Sequence, residues 1–245
     1  MSSKTKVLPK VKTPWSTVGY LTYKRTYSRP LSESRQGSHF ESEEFPDTIA
    51  RVIEACDKQL QCGFTESEEQ RLAEYLLSLK CSVAGRFLWQ LGTKTVDRLG
   101  LASLQNCAFT VVDSPVRPFT WAMDMLSLGS GVGYSIQSEH VDKLPEVRPW
   151  FKAPTRVDDN GADFIIPDSR EGWVKFLGKT LKAAFLSQSP EQGTFTYSTK
   201  CVRPAGQPIK GFGGTASGPE DLAKGIQWIS EILMNRAGQK VRPID

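Results

Sequence analysis

The sequence has few of the residues that build metal sites, and it has no long apolar run. Its only histidines, His39 and His140, are far apart, and its cysteines follow no CxxC or other zinc spacing. The number of cysteines is odd and the basic N-terminus has no apolar core, so we expect reduced thiols in a cytoplasmic protein without a resident metal. No stretch reaches the ~18–20 apolar residues that cross a bilayer, so no membrane association is expected. The five cysteines are Cys56, Cys62, Cys81, Cys107 and Cys201.

The net charge of +4 is concentrated at the N-terminus, where residues 1–35 carry eight Lys or Arg and a single acidic residue, Glu33. Such an arm binds nucleic acid in some proteins, but no nucleic-acid-binding motif accompanies it, so nucleic acid is the weakest candidate partner. We interpret residues 1–45 as a basic, irregular arm that is largely solvated. The spacing of Tyr20, Tyr23 and Tyr27 indicates that their rings pack against the rest of the protein.

Residues 46–100 have the pattern of a helical region. Apolar residues recur at helical spacing from Ile49 to Leu60, which places Cys56 on a core face and favours a structural role for it. A second helix is predicted to begin at Thr65, because Glu68 follows three residues later in a capping box.

Residues 101–245 alternate between strand-like and helix-like segments, which predicts an α/β fold with parallel pairing. Strands are predicted at 107–112, 132–137 and 193–199, and the stretch 138–167 is interpreted as an irregular insertion. The helix after the first strand is expected to use Asp113 as its capping carboxylate. A later helix is expected to begin with Asp168 and Glu171 in capping-box register, and a final helix begins near Pro219.

Two glycine-rich segments are candidates for phosphate binding. GSGVG at 129–133 follows a helix and opens a strand, the reverse of the dinucleotide fingerprint, so it favours a tightly packed turn. Residues 203–218 combine glycines with Arg203, Gln207 and Lys210. Exposed backbone N–H groups and cationic side chains suit a phosphate or a base, which favours a nucleotide-handling loop over a merely flexible connection.

Cys107 begins the first strand, in the stretch GLASLQNCAFTVVDS at 100–114. A cysteine at this position is either a small buried hydrophobe or an accessible, reactive thiol. No neighbour in sequence supplies a second thiol, so a redox role requires a partner far along the chain or outside it. The residues alone leave both interpretations open.

Four motifs, in order, resemble the N-terminal half of an adenosylcobalamin-dependent (class II) ribonucleotide reductase. They are SLQNCAF, GSGVGYSI, PDSREGW and RPAGQPIKGFGGTASGP, and VGYLTYKRTYSR and GQKVRPID fit the same family. The likeness is greatest to the monomeric ribonucleoside-triphosphate reductase type. This family has a ten-stranded α/β barrel, of which the chain would form the first half. Its members make deoxyribonucleotides for DNA synthesis by thiyl-radical chemistry.

The resemblance also implies roles for individual residues. Cys107 matches the redox cysteine that forms a disulfide with a distant partner and is reset by thioredoxin or a similar dithiol. Asn106 and Ser103 would lie at the ribonucleotide substrate. Asp113 and Ser114 match the site of the deoxynucleotide effector, and Arg203, Gln207 and Lys210 match the specificity loop between effector and substrate. The insertion at 138–167 resembles the segment that replaces a second subunit in monomeric members.

The radical-bearing cysteine of the family lies in an Asn-x-Cys-x-Glu-like pattern, which this sequence does not contain. We therefore expect the chain to be inactive alone and to require a C-terminal half. A shortened chain, a gene split by an intervening element and a fragment with a separate partner all fit this expectation. The alternative function is a catalytically inactive nucleotide-binding module.

Overall fold

The computed structural model of the protein describes residues 8–31, 41–209 and 214–245. The chain divides into two compact units between Gln105 and Asn106, five residues beyond the boundary expected at residue 100. Among the described residues, no helix is both long enough and apolar enough to cross a membrane.

The first unit is helical, as predicted for residues 46–100. The predicted capping box at Thr65 is confirmed: Thr65 Oγ1 accepts the N–H of Glu68 at 3.3 Å, and the Glu68 carboxylate accepts the N–H of Thr65 at 2.8 Å. The helices are α1 (Thr17–Thr26), α2 (Phe45–Lys58), α3 (Glu66–Leu77), α4 (Gly85–Gln90) and α5 (Lys94–Leu99), and a 3₁₀ turn, Leu101–Leu104, follows them.

The N-terminal arm is not irregular throughout, because α1 lies within it. Ser16 caps this helix by accepting the N–H of Gly19. Tyr23 is only 2% exposed and stacks on Trp15, and its ring also contacts that of Phe45. The expectation that the tyrosines pack inward is therefore confirmed. The helix was not predicted from the sequence, because α1 buries a single side chain and so has almost no apolar stripe.

The second unit alternates strands and helices and confirms the α/β class with parallel pairing. Strand β1 (Cys107–Val111) pairs in parallel with β2 (Gly131–Ser135). The strands β3 (Thr155–Arg156), β4 (Phe164–Ile165) and β5 (Thr196–Ser198) form a parallel sheet in the order β3-β5-β4. The five strands described here form two separate sheets. The elements are β1 (Cys107–Val111), α6 (Arg117–Ser127), β2 (Gly131–Ser135), α7 (Ser138–Val141), β3 (Thr155–Arg156), β4 (Phe164–Ile165), α8 (Arg170–Leu186), β5 (Thr196–Ser198) and α9 (Pro219–Met234).

The core of the second unit lies between α8 and the strand β5. Phe176 is fully buried and its ring contacts those of Phe195 and Tyr197. Leu181 and Phe185, five and nine residues further along α8, are also buried in this core. This packing fixes the three-stranded sheet against the longest helix of the unit.

Two predicted helix starts are wrong, and the insertion is more ordered than expected. Helix α6 begins at Arg117, after Val116, so Asp113 does not cap it. Helix α8 is capped by Ser169, whose Oγ accepts the N–H of Gly172 at 3.0 Å, while Asp168 binds Arg203 instead. Residues 138–167 contain α7, β3 and β4, all of them short.

Candidate active site at the two ends of β1

Cys107 is the first residue of β1 and its side chain is exposed. Its register partner in β2 is Gly131, and the N–H of Gly131 donates to the carbonyl of Asn106 at 2.9 Å. Side chains alternate between the faces of a strand, so Cys107 shares a face with Phe109, which is 63% exposed. The structure therefore favours an accessible thiol over a buried small hydrophobe.

On the face of the sheet that carries Cys107, the neighbouring residues of β2 are Gly131 and Gly133, which have no side chains. A methyl group placed on Gly131 would meet only the carbonyl oxygen of Asn106, at 3.8 Å. At Gly133, two residues on, the position of such a group lies 3.1 Å from the ring of Phe109, so that ring covers the second glycine. The space beside the thiol is thus open, and a ligand can approach Cys107 along the backbone of β2. Sequence reasoning assigned these glycines only to a turn.

Asp113 and Ser114 follow the carboxyl end of β1, at the opposite end from Cys107. Asp113 is exposed and Ser114 is half-buried. Asp113 is six residues along the chain from Cys107, and at about 3.3 Å per extended residue the two lie roughly 20 Å apart. The carboxyl ends of parallel strands are where ligands bind in open α/β sheets. The arrangement therefore supports two different sites, one at each end of β1.

The two residues predicted to bind substrate differ in accessibility. Asn106 is exposed next to Cys107. Ser103 belongs to the first unit and is fully buried, with its Oγ donating to the carbonyl of Gly100 at 2.8 Å. Its own carbonyl accepts a hydrogen bond from Arg86 at 3.1 Å. The prediction that Ser103 contacts substrate is therefore wrong for this structure, because its side chain is already used inside the unit.

The donor-rich segment lies elsewhere in the second unit. Gln207 is exposed, but the guanidinium of Arg203 binds the carboxylate of Asp168 at 2.8 Å. Lys210 lies outside the described residues. Among those described, no hydrogen bond or ion pair joins Asp113 or Ser114 to Arg203 or Gln207, so the structure does not bring the predicted effector residues into one contact set.

The cysteines divide into one buried thiol and four exposed ones, none of them in a disulfide. Cys56 is buried, which confirms its predicted structural position. Burial, helped by the neighbouring thiol of Cys62, raises the pKa of Cys56 to about 11. Cys56 therefore remains a neutral, buried thiol at physiological pH. Cys107 differs in that its thiol is exposed to solvent.

A cavity of about 740 Å³ lies on the other face of β1 and β2. Its wall includes Val112, Tyr134 and Ile136, which alternate with the residues on the Cys107 face. Helices α6, α8 and α9 supply further apolar side chains, and the wall has few polar groups, among them those of Ser127, Arg242 and Asp245. This cavity is suited to apolar contacts and is separate from the space beside Cys107.

Comparison with known proteins defines the class to which this architecture corresponds. A family model described as the ribonucleotide reductase alpha domain matches residues 4–93. A second, described as the insertion domain of B12-dependent ribonucleotide reductase, matches residues 136–233. Together they cover most of the chain, and both describe ribonucleotide reductases, so this is the class of protein that the chain resembles over most of its length. The insertion-domain match extends well beyond the insertion predicted at 138–167.

The individual relatives to which the chain is similar are B12-dependent members of this class. The chain is 31% identical to the adenosylcobalamin-dependent ribonucleoside-triphosphate reductase of Levilactobacillus brevis, over 94% of this chain and 38% of the relative. For the enzyme of the same name from Lactobacillus helveticus the identity is 30%, over 96% and 38%. A crystal structure of a B12-dependent (class II) ribonucleotide reductase matches with a TM-score of 0.80 and 29% identity, over 96% of this chain and 39% of that one.

These matches confirm the resemblance predicted from the motifs. The chain is similar in sequence and in fold to the N-terminal part of the B12-dependent ribonucleotide reductases. It spans somewhat less than two fifths of the length of the relatives it matches.

Proposed function

We propose that this chain is the N-terminal part of a cytoplasmic enzyme that reduces ribonucleoside triphosphates to 2′-deoxyribonucleoside triphosphates by adenosylcobalamin-dependent thiyl-radical chemistry. The observation that carries the proposal is the exposed Cys107 at the start of β1, beside the bare backbone of Gly131, within a chain that aligns with these reductases almost throughout. Free thiols suit the reducing cytoplasm.

In this proposal Cys107 is one of two redox thiols. Replacing the ribose 2′-hydroxyl by hydrogen releases water and consumes two electrons and two protons. Two cysteine thiols supply both when they join as a disulfide, and thioredoxin or a similar dithiol then reduces that disulfide by thiol–disulfide exchange. Asn106, which is exposed next to Cys107, is placed to contact the substrate.

The deoxynucleotide effector is proposed to bind at the carboxyl end of β1. The exposed carboxylate of Asp113 suits the hydroxyl groups of a nucleotide sugar, and the Ser114 hydroxyl can donate to a phosphate. Gln207 and Lys210 are proposed to report effector identity to the substrate base. The ten-stranded barrel, with these strands in its first half, and a role of the insertion in replacing a second subunit belong to the same proposal.

The described residues do not form a site that fits adenosylcobalamin. The corrin ring carries many amide side chains, which need polar partners. The 740 Å³ cavity is almost wholly apolar and lies on the opposite face of β1 from Cys107. We therefore propose that a C-terminal half completes the adenosylcobalamin site.

Complementation tests the proposal directly. Residues 1–245 would be combined with the separately produced remainder of the Levilactobacillus brevis enzyme, adenosylcobalamin, ATP, a deoxynucleotide effector and reduced thioredoxin. We expect 2′-deoxynucleotide to form, and we expect Cys107→Ser to abolish multiple turnover. Cys81→Ser is the matched control, because Cys81 is also exposed and lies in the other unit.

Two outcomes contradict the proposal. Normal multiple turnover with Cys107→Ser removes this thiol from the reaction. Absence of product, with deoxynucleotide binding that is lost on Asp113→Ala, favours the inactive nucleotide-binding module. A third outcome, salt-sensitive binding of nucleic acid that requires residues 1–35, would favour a nucleic-acid-binding protein instead.

A further inference from the structure

The side chain of Arg203, in the donor-rich segment 203–218, already forms an ion pair within the protein. We refer to residues 203–209 and 214–218 as the two arms. Arg203, at the beginning of the first arm, has a half-buried guanidinium that binds a carboxylate of the same unit. This observation bears on whether Arg203 holds a nucleotide phosphate or holds the arms themselves.

The two arms pair with each other by backbone hydrogen bonds. Gly206 donates to the carbonyl of Ala216 at 2.8 Å, and Ala216 donates back to the carbonyl of Gln207 at 2.7 Å. Ile209 donates to the carbonyl of Gly214 at 3.0 Å. These hydrogen bonds hold the two arms together, so a contact that fixes either arm also fixes the position of Gln207.

The first arm is held by Asp168. The Arg203 Nε lies 2.8 and 3.0 Å from the two carboxylate oxygens of Asp168, and the backbone N–H of Arg203 donates to the same carboxylate at 3.3 Å. Another guanidinium nitrogen reaches along the arm to the carbonyl of Pro208 at 3.3 Å. Asp168 follows β4, so the contact joins the first arm to the carboxyl end of that strand.

The second arm is held at the carboxyl ends of the other two strands. It leads into α9, where both carboxylate oxygens of Glu220 accept hydrogen bonds from Arg156 of β3, at 2.9 and 3.0 Å. Arg156 also binds Asp158, which accepts the backbone N–H and the hydroxyl of Thr199, just after β5, at 2.7 and 2.9 Å. Burial opposes ionisation of Asp158, but these hydrogen bonds outweigh it and hold the pKa of Asp158 below its ordinary value.

The base of the arms is also closely packed. Gly218 has φ +82°, and a methyl group placed on it would lie 2.9 Å from the backbone nitrogen of Ala205. Only glycine suits this conformation and this approach. The arms thus converge at their base, with one ion-pair network on each side.

We infer that Arg203, held by Asp168, is a positioning residue that fixes the arms at the carboxyl edge of β3-β5-β4 and thereby places Gln207, and that it does not bind phosphate. The inference rests on the proposed function, because it assigns the arms their role in nucleotide recognition. It proposes a positioning role for Arg203 in place of the effector contact predicted from the sequence. The pair is partly exposed, so it governs local order more than global stability.

Two variants separate positioning from direct binding. In the 245-residue chain we would measure amide hydrogen exchange at Gly206, Ile209 and Ala216, together with binding of dATP and Mg²⁺. Positioning predicts that Asp168→Asn and Arg203→Gln both speed exchange by about two- to fivefold, the effect of losing one partly exposed ion pair, and both weaken dATP binding. Lys58→Gln is the control, since it removes an exposed ion pair with Glu54 in the other unit.

If Arg203 binds phosphate directly, Asp168→Asn changes the affinity for dATP in the opposite direction. Asp168→Asn would then free the guanidinium and tighten dATP binding, while Arg203→Gln weakens it without changing exchange. Either that result, or unchanged exchange in both variants, overturns the inference. If the unaltered chain and all variants fail to bind dATP, the proposed function fails for this chain, and the exchange rates alone still decide whether Arg203 holds the arms.

Discussion

Cys107 and Gly131 are register partners in the parallel pair β1–β2, so a residue without a side chain lies beside the exposed thiol. We predict that Gly131→Val slows alkylation of Cys107 by iodoacetamide, because its branched side chain fills the open space next to the sulfur. In the complementation assay that tests the proposed function, the valine is expected to displace the substrate, and a displacement of about 1 Å costs on the order of 10²-fold in turnover. Peptide mass spectrometry and product assay measure the two effects.

The control for this prediction is Gly225→Val, since Gly225 lies in α9 and a Cβ there meets no atom within 4 Å. Gly131→Ala should be tolerated, because its added methyl group makes only an ordinary contact. Equal alkylation rates at Cys107 in the unaltered chain and in Gly131→Val would show that the glycine does not control access.

The contrast between buried and exposed cysteines yields a second prediction. At pH 8, iodoacetamide should modify Cys62, Cys81, Cys107 and Cys201 in the folded chain and spare Cys56, whose pKa is raised to about 11 chiefly by burial. In urea all five should react. Rapid labelling of Cys56 under native conditions would mean that the end of α2 opens readily.

A buried ion pair between Glu43 and Arg51 predicts a pH-dependent stability of the first unit. The Glu43 carboxylate lies 2.6 and 2.8 Å from two nitrogens of Arg51 and accepts the Thr48 hydroxyl at 2.7 Å. Burial opposes ionisation, yet these hydrogen bonds hold the pKa of Glu43 below its ordinary value. We expect Glu43→Gln to lower the free energy of unfolding by about 3–5 kcal/mol at pH 7, since Arg51 keeps the carbonyls of Leu88 and Leu91 as acceptors but loses the carboxylate that balances its largely buried charge.

The sign of the pH dependence follows from the lowered pKa. The contribution of Glu43 is complete above its unfolded pKa, near 4.3, and is lost as the pH falls through the lower folded value. The difference in urea stability between the unaltered chain and Glu43→Gln should therefore shrink below about pH 4. Glu54→Gln, at a more exposed ion pair, should change stability by less than about 1 kcal/mol at any pH.

The capping box at the start of α3 gives a smaller and more local prediction. Thr65→Ala removes the acceptor for the Glu68 N–H and should cost about 1 kcal/mol, or roughly 4–8 °C in the Tm of the first unit. Thr65→Ser retains the hydroxyl and should be close to neutral. Thermal unfolding followed by circular dichroism checks both, and equal Tm values for the alanine and serine variants would argue against the cap.

Local signals in the sequence predicted the local structure well. Thr65 and Glu68 form the expected box because a cap depends on residues three apart. The same reasoning failed at Asp168, because Ser169 competes for the cap and Arg203, thirty-five residues away, binds the carboxylate. A pattern read within one segment contains no information about such a distant partner.

Only part of the candidate site was predicted from the sequence. The motif around Cys107 identified the thiol through its family resemblance, and the structure supports its exposure. Gly131 was missed as part of the site, because the register of a parallel pair depends on the intervening helix and on packing rather than on either strand alone. Ser103 was misplaced because its burial results from the packing of the first unit.

The strand order β3-β5-β4 has a consequence for synthesis of the chain. In the part of the chain that the structure describes, β3 and β4 each pair only with β5, which is made last. The ribosome must add about 30 residues after β4 before β5 exists, and at ~5–20 residues per second this takes about 2–6 s. During that interval helix α8 can form, but the sheet cannot. The rate at which α8 is translated therefore determines how long β3 and β4 remain without β5, the strand with which both pair.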